Sequence, residues 1–157
     1  MQGTMLSHFT PQRLLTLALP LLLALVACSS DISTPQAQAF GVYQLRLING
    51  DTLPVQTGEV DGVLNDVLAG SIHANTDHSC EFRHTFRLTS LDDQTTRVES
   101  EIQPCTWQLI DQGFHVRFPN GSLLSGFLAL NALWFDFPSN DGGAFRFMYE
   151  KIGDAPR

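Results

Sequence analysis

The chain has 157 residues, with 9 Lys and Arg against 16 Asp and Glu, a formal net charge of −7, 43% apolar residues and three Cys. The length suits one domain with its own core. The acidic balance argues against a nucleic-acid partner, because phosphate binding needs clustered bases, and here the single Lys is Lys151 and no run of Arg occurs. At the N-terminus, residues 1–27 hold 16 apolar residues, no acid and one strong base, Arg13. The apolar run 14–26 that follows Arg13 is shorter than the roughly 20 residues of a bilayer span. It is expected to be the apolar core of an export signal.

That run ends Leu25-Val26-Ala27-Cys28-Ser29-Ser30. Small residues before a Cys, directly after an apolar run, resemble a bacterial lipobox. The resemblance implies cleavage before Cys28, a diacylglycerol on its thiol and an acyl chain such as palmitate on its new amine. The alternative is a plain signal peptide that leaves Cys28 an idle thiol. Several acyl chains on one residue anchor a protein stably, where one chain is marginal. Ser29, rather than Asp, follows the Cys. By resemblance to the Gram-negative sorting rule this points to the outer membrane of the cell envelope. Without Arg13 the exported chain carries 8 bases against 16 acids, and −7 becomes −8. Residues 28–39 form the lipidated Cys and a small, polar tether, with a reach of roughly 18 Å by the scaling for flexible chains. A domain over 40–152 and a tail over 153–157 follow.

From Phe40 onward the pattern is all-β: short antiparallel strands, about eight of them, in a meander closing into a barrel. Turn residues recur at Asn49-Gly50, 75–78, Asp92-Asp93, Gln112-Gly113, Pro119-Asn120-Gly121, Asn131-Ala132 and 139–143. Between them apolar residues alternate. Tyr43, Leu45 and Leu47 share one face of the first strand. Cys80, Phe82, His84, Phe86 and Leu88 share one face of residues 80–88, with Glu81, Arg83, Thr85 and Arg87 opposite. Phe114, Val116 and Phe118 form a third face, and Phe145, Phe147 and Tyr149 a fourth. The segment 55–66 is expected as a loop capping the barrel mouth.

Two hairpins can be registered. With Asn131-Ala132 as a two-residue loop, Leu130 faces Leu133, Leu128 faces Phe135 and Gly126 faces Phe137, all on one apolar inner face, while Ala129 faces Trp134 on the opposite face. Around Asp92-Asp93 one register sets Cys80 opposite Cys105. A register shifted by one fits the alternation better, since it brings Val98 and Ile102 onto the face of Phe86 and Phe82 and sets Arg83 opposite Glu101. A bulge at Gln103-Pro104 then restores Cys80 to Cys105. With Cys28 lipidated, Cys80 and Cys105 are the two thiols left in an oxidising envelope, and they are expected to pair. The alternative is two buried reduced thiols.

The order of motifs then resembles small bacterial lipocalin-like lipoprotein domains. The carriers are Gly41-Val-Tyr-Gln-Leu with Asn49-Gly50 and Leu53-Pro54, then Leu68-Ala-Gly-Ser-Ile72 with Asn75-Thr-Asp77, then Ser125-Gly126-x-Leu128 with Asn131-x-Leu133, then a last strand with Tyr149. Tyr43 stands where lipocalins proper carry Trp. The resemblance implies a barrel with one open mouth and an apolar cavity, with no catalytic residue and no named ligand.

Chemistry is sparse. His73, Asp77, His78, Cys80 and His84 are the one cluster of ligand-type residues, but their spacing fits no short metal motif, and neither metal nor cofactor is expected. No G-x-S-x-G elbow occurs. Asp92-Asp93 and Glu99 with Glu101 are expected on solvated faces rather than as a glycosidase pair. His84, Tyr43 and Tyr149 are the polar candidates for contacting a ligand, with an internal bond from His84 to Ser100 as the plainer role for His84. Phe127 and Trp134 on the opposite face are candidates for a partner surface. Ten of the eleven Phe follow the signal. The expected function is non-catalytic: a lipid-anchored barrel binding a small apolar molecule or lipid. The alternative is a protein-interaction barrel, either an envelope structural partner or a protease inhibitor.

Overall fold

The computed structural model describes residues 39–139 and 142–154. The signal, the tether, Cys28 and the residues 155–157 of the tail lie outside the described residues. Ten strands run in chain order: β1 Gly41–Ile48, β2 Asp51–Thr52, β3 Val55–Val60, β4 Val63–Ala74, β5 Ser79–Ser90, β6 Thr96–Ile110, β7 Gly113–Arg117, β8 Leu123–Ala129, β9 Ala132–Pro138 and β10 Ala144–Gly153. From β3 to β10 each strand pairs antiparallel with the next. β1 pairs with β10 on one side and, through Gly41 to Gln44, with β4 on the other. That double pairing closes an eight-stranded barrel of β1 and β4 to β10, and β2 and β3 are extra strands at the seam.

The segment 55–66 is a hairpin of β3 and β4, not a capping loop. Its turn is Asp61-Gly62, with φ of +50° and +75°. Two positive φ values in a two-residue loop suit the tight hairpin turn whose twist matches the flanking strands. Asn49-Gly50 does the same between β1 and β2, at +54° and +93°. In β1 the pairing slips between Leu45 and Leu47. The extra residue turns Leu47 outward and carries Ile48 into the core beside Tyr43 and Leu45.

The β8–β9 register needs correction, and between β5 and β6 the unshifted register holds in place of the shifted one with its bulge. The β8–β9 turn is Leu130-Asn131, so Leu128 faces Leu133, Gly126 faces Phe135 and Phe127 faces Trp134. Sliding one strand by two residues keeps every side chain on its own face, so the apolar pattern alone does not distinguish the two registers. Between β5 and β6 the pairing is unbroken from Ser79–Thr106 to Thr89–Thr96, without a bulge. Cys80 lies opposite Cys105, and the two form a disulfide with Cα atoms 4.8 Å apart. This register turns Val98 and Ile102 outward, where they are 62% and 56% exposed. Glu99, Glu101 and Gln103 share the inward face with Cys105 and Trp107.

Candidate functional site: an open aromatic cavity

The barrel has a packed end and an open end. At the packed end Trp107 stacks on Phe114 with ring centres 5.1 Å apart, and its indole N–H donates to the carbonyl of Asn75 at 3.0 Å. The disulfide lies one residue pair from this stack. Tyr43 is fully buried, and its hydroxyl donates to the carbonyl of Ala39 at 2.8 Å. The chain therefore enters the barrel beneath this floor. Above it Phe82 meets the edges of Phe118, Phe135 and Tyr149, with ring centres 5.6–6.3 Å apart. Edge-to-face aromatics at such distances pack favourably beyond their buried area.

A cavity of about 750 Å³ opens above that layer. Its apolar wall includes Val67, Phe82, Phe86, Phe137, Phe145 and Phe147. Its polar groups include His84, Asn65, Glu101 and Gln103. Three strands bring these together. β4 carries Asn65 inward after a slip near Leu68, and β5 carries His84. β6 places Glu101 directly opposite His84. Gly70 on β4 faces His84 from the other side. A methyl group at Gly70 would stand 2.8 Å from the His84 ring, so that glycine makes room for the imidazole.

His84 Nε2 and Tyr149 Oη are 2.7 Å apart. This pair replaces the expected His84–Ser100 bond. Ser100 points outward and meets Thr85 at 3.1 Å. Burial pushes the His84 imidazole down to about 4, while the opposed Glu101 pulls it up. The ring is therefore neutral near pH 7. Burial also raises the Tyr149 and Tyr43 hydroxyls above the ordinary tyrosine value. Among the three sequence candidates, His84 lines the cavity. Tyr149 lies beneath it as the support of His84, and Tyr43 is closed into the floor. Asn65 holds a buried side-chain oxygen with no hydrogen-bond partner among the described residues. Gln103 donates its amide to Glu101 Oε1 at 2.6 Å.

Glu99 and Glu101 are exposed to solvent as expected, but they sit on the inner face at the mouth rather than on the outer face. The alternation misleads here because the first part of β6 lacks a packed neighbour on one side. β7 pairs with β6 only from Thr106 to Ile110. Over residues 96–105 β6 has β5 alone as its hydrogen-bonded strand among the described residues. The cavity opens along this free edge, between Ile102 to Pro104 and the β7–β8 turn of Phe118 to Leu124.

The cluster considered for metal is dispersed. Cys80 is in the disulfide, the ring of His78 lies 5.1 Å from that of Trp107, and Asp77 accepts from Ser79. No group of three or more metal-type ligands occurs among the described residues. On the outside, Phe127, Trp134, Met148 and Leu47 form one cross-strand row over β8, β9, β10 and β1. Phe127 and Trp134 stack with centres 6.0 Å apart, and Phe127 is 43% exposed. Ion pairs Arg146–Asp136 and Arg46–Glu150 flank this row.

No family model matches the chain, and neither a curated protein nor a solved structure matches it.

Proposed function

We propose that the protein is a non-catalytic lipoprotein of the bacterial cell envelope, related to the lipocalin-like domains, whose barrel holds a small apolar molecule or lipid. The observation that carries this reading is the open, aromatic-walled cavity of about 750 Å³. Ligand pockets typically measure roughly 300–1,000 Å³, with apolar walls and a few polar groups. A core built only for stability packs to near-crystalline density and leaves no such space.

Two measurements test the reading. Protein purified from its native envelope is extracted with organic solvent and the extract examined by mass spectrometry. A neutral apolar dye is titrated into the emptied protein and its fluorescence followed. A co-purified apolar species, or saturable dye binding abolished by Phe86→Trp and Phe147→Trp, supports the reading. Absence of both overturns it.

The second reading is a protein-interaction barrel. Two observations favour it: the unpaired edge of β6 over 96–105, since exposed edges template strand addition, and the outer row around the Phe127–Trp134 stack. It predicts that Trp134→Ala or Phe127→Ala abolishes capture of an envelope partner while the thermal transition survives. Capture unchanged in both variants removes that row as the contact.

A further inference from the structure

Which head group the cavity accepts follows from its charges. We propose that the cavity selects an amphiphile with a protonated amine head on an apolar body, the head being received by Glu101 and by the buried oxygen of Asn65. This rests on the cavity being a ligand site.

The lining contains one ionised side chain, Glu101, and neither Lys nor Arg. The nearest base on the same face of β6, Arg97, is outside the lining and donates to Glu99 at 2.7 Å. Arg87, on the outer face of β5, forks onto Asp66. A carboxylate or phosphate head would therefore meet Glu101 with no cation to offset it. Like charges placed together in a partly dry site repel. His84 does not supply the missing positive charge, because it is neutral and already bonded to Tyr149.

The other polar groups are matched to a donor. Asn65 presents a buried acceptor that nothing in the described protein satisfies. Buried acceptors are satisfied with few exceptions, so an N–H from a ligand, met by rotation of the Asn65 side chain toward the cavity, is the chemistry that completes it. One oxygen of Glu101 takes the Gln103 amide, leaving the other for the same head. Phe86, Phe137 and Phe147 line the space around these groups, and aromatic faces attract cations. Anionic, cation-attracting and hydrogen-bond-accepting groups thus converge on one space whose remaining wall is apolar.

The test is a series that differs only in its head: decylammonium, decanol and decanoate, each titrated at pH 7.5 against the neutral dye. Decylammonium should bind about tenfold tighter than decanol, as a charge-assisted bond outweighs a neutral one, and decanoate weakest of all. Glu101→Gln removes the charge from an exposed position and should bring the amine and the alcohol to within about threefold of each other, the advantage of a charged bond over a neutral one being lost. Asn65→Leu should weaken both the amine and the alcohol. Equal binding of all three, tightest binding of decanoate, or a preference unchanged in Glu101→Gln overturns the amine assignment and leaves the apolar site standing. If neither the dye nor any member of the series binds, the cavity reading itself falls. Circular dichroism melts of both variants confirm that they fold.

Discussion

His84 carries a pH dependence that its surroundings define. Its imidazole titrates near 4 in the folded barrel because burial disfavours the charged ring. In the unfolded chain it titrates near the ordinary value of about 6.5. Between those values the unfolded chain holds a proton that the folded one rejects, so acid favours unfolding. The stabilisation is complete above about pH 6.5 and is lost as pH falls toward 4, for a total of about 3 kcal/mol. His84→Gln removes the titration while keeping an acceptor for Tyr149. Urea midpoints at pH 7 and pH 4.5 should therefore converge in the variant relative to the wild type. Asp77, Asp93 and Asp136 are held below the usual carboxylate range by hydroxyls and by Arg146, and they act equally in both proteins. Gly126 gives a second residue-scale test. A Cβ there runs into the Trp134 carbonyl oxygen and the Phe135 ring. Backbone does not yield as a side-chain tip does, so Gly126→Ala should cost about 2 kcal/mol in urea unfolding. The inward face of His84 was legible from alternation, because β5 is packed on both sides there. Its bond to Tyr149 was not, because the partners are 65 residues apart and meet only when the barrel closes. Asn65 was missed for a similar reason: it lay in a segment expected to be a loop, although Asp61-Gly62 is the strongest kind of hairpin signal.

At the scale of elements, alternation identified strands well and registered them poorly. A two-residue slip preserves faces, which hid the true β8–β9 pairing. A one-residue slip swaps faces, which misplaced Glu99, Glu101, Val98 and Ile102 on β6. The mistaken premise was that the more apolar face of β6 is its inner face. That premise holds where a strand is covered and fails over 96–105, where one edge is free and the inner face borders an open mouth. Val98→Lys separates the registers. With Val98 outside, the cost should stay within about 0.5 kcal/mol, as for an ordinary surface change. A Lys forced among Phe82 and Phe86 would instead abolish the cooperative transition. The pairing of Cys80 with Cys105 was legible from either register and from the expectation of an oxidising compartment. Their disulfide closes a loop between residues 25 apart. In the chain-entropy model its removal costs about 3–4 kcal/mol. Cys80→Ala with Cys105→Ala should lower the urea midpoint by the corresponding amount, and reductant should do the same to the wild type but not to the variant.

For the whole molecule, closure creates the asymmetry on which the proposed function depends. β1 joins β4 over Gly41 to Gln44 only, then leaves it to pair with β2, while β4 takes β3 as its partner. The barrel is consequently tight where Trp107, Phe114 and the disulfide sit, and wide where β3, β6 and the β7–β8 turn rim the mouth. The eight strands of the barrel, their order and their antiparallel sense were written in the turn residues, but the extra strands β2 and β3 were not. The unequal ends were not, because they arise from strand lengths that no local pattern encodes. The same asymmetry sets stability against binding. Leu124 lies inward on β8 and lines the cavity, so Leu124→Trp buries more apolar surface without displacing the packed end. At roughly 25 cal/mol per Å² of added apolar burial, the variant should melt at the wild-type temperature or a few degrees above it, and it should lose dye binding. A site kept open for a ligand gives up stability that filling recovers. A ligand present at about 100 times its Kd adds roughly 2.7 kcal/mol, so decylammonium should raise the melting temperature of the wild type and leave that of Leu124→Trp unmoved. If the amine raises both equally, it binds elsewhere on the barrel, and the cavity is not its site.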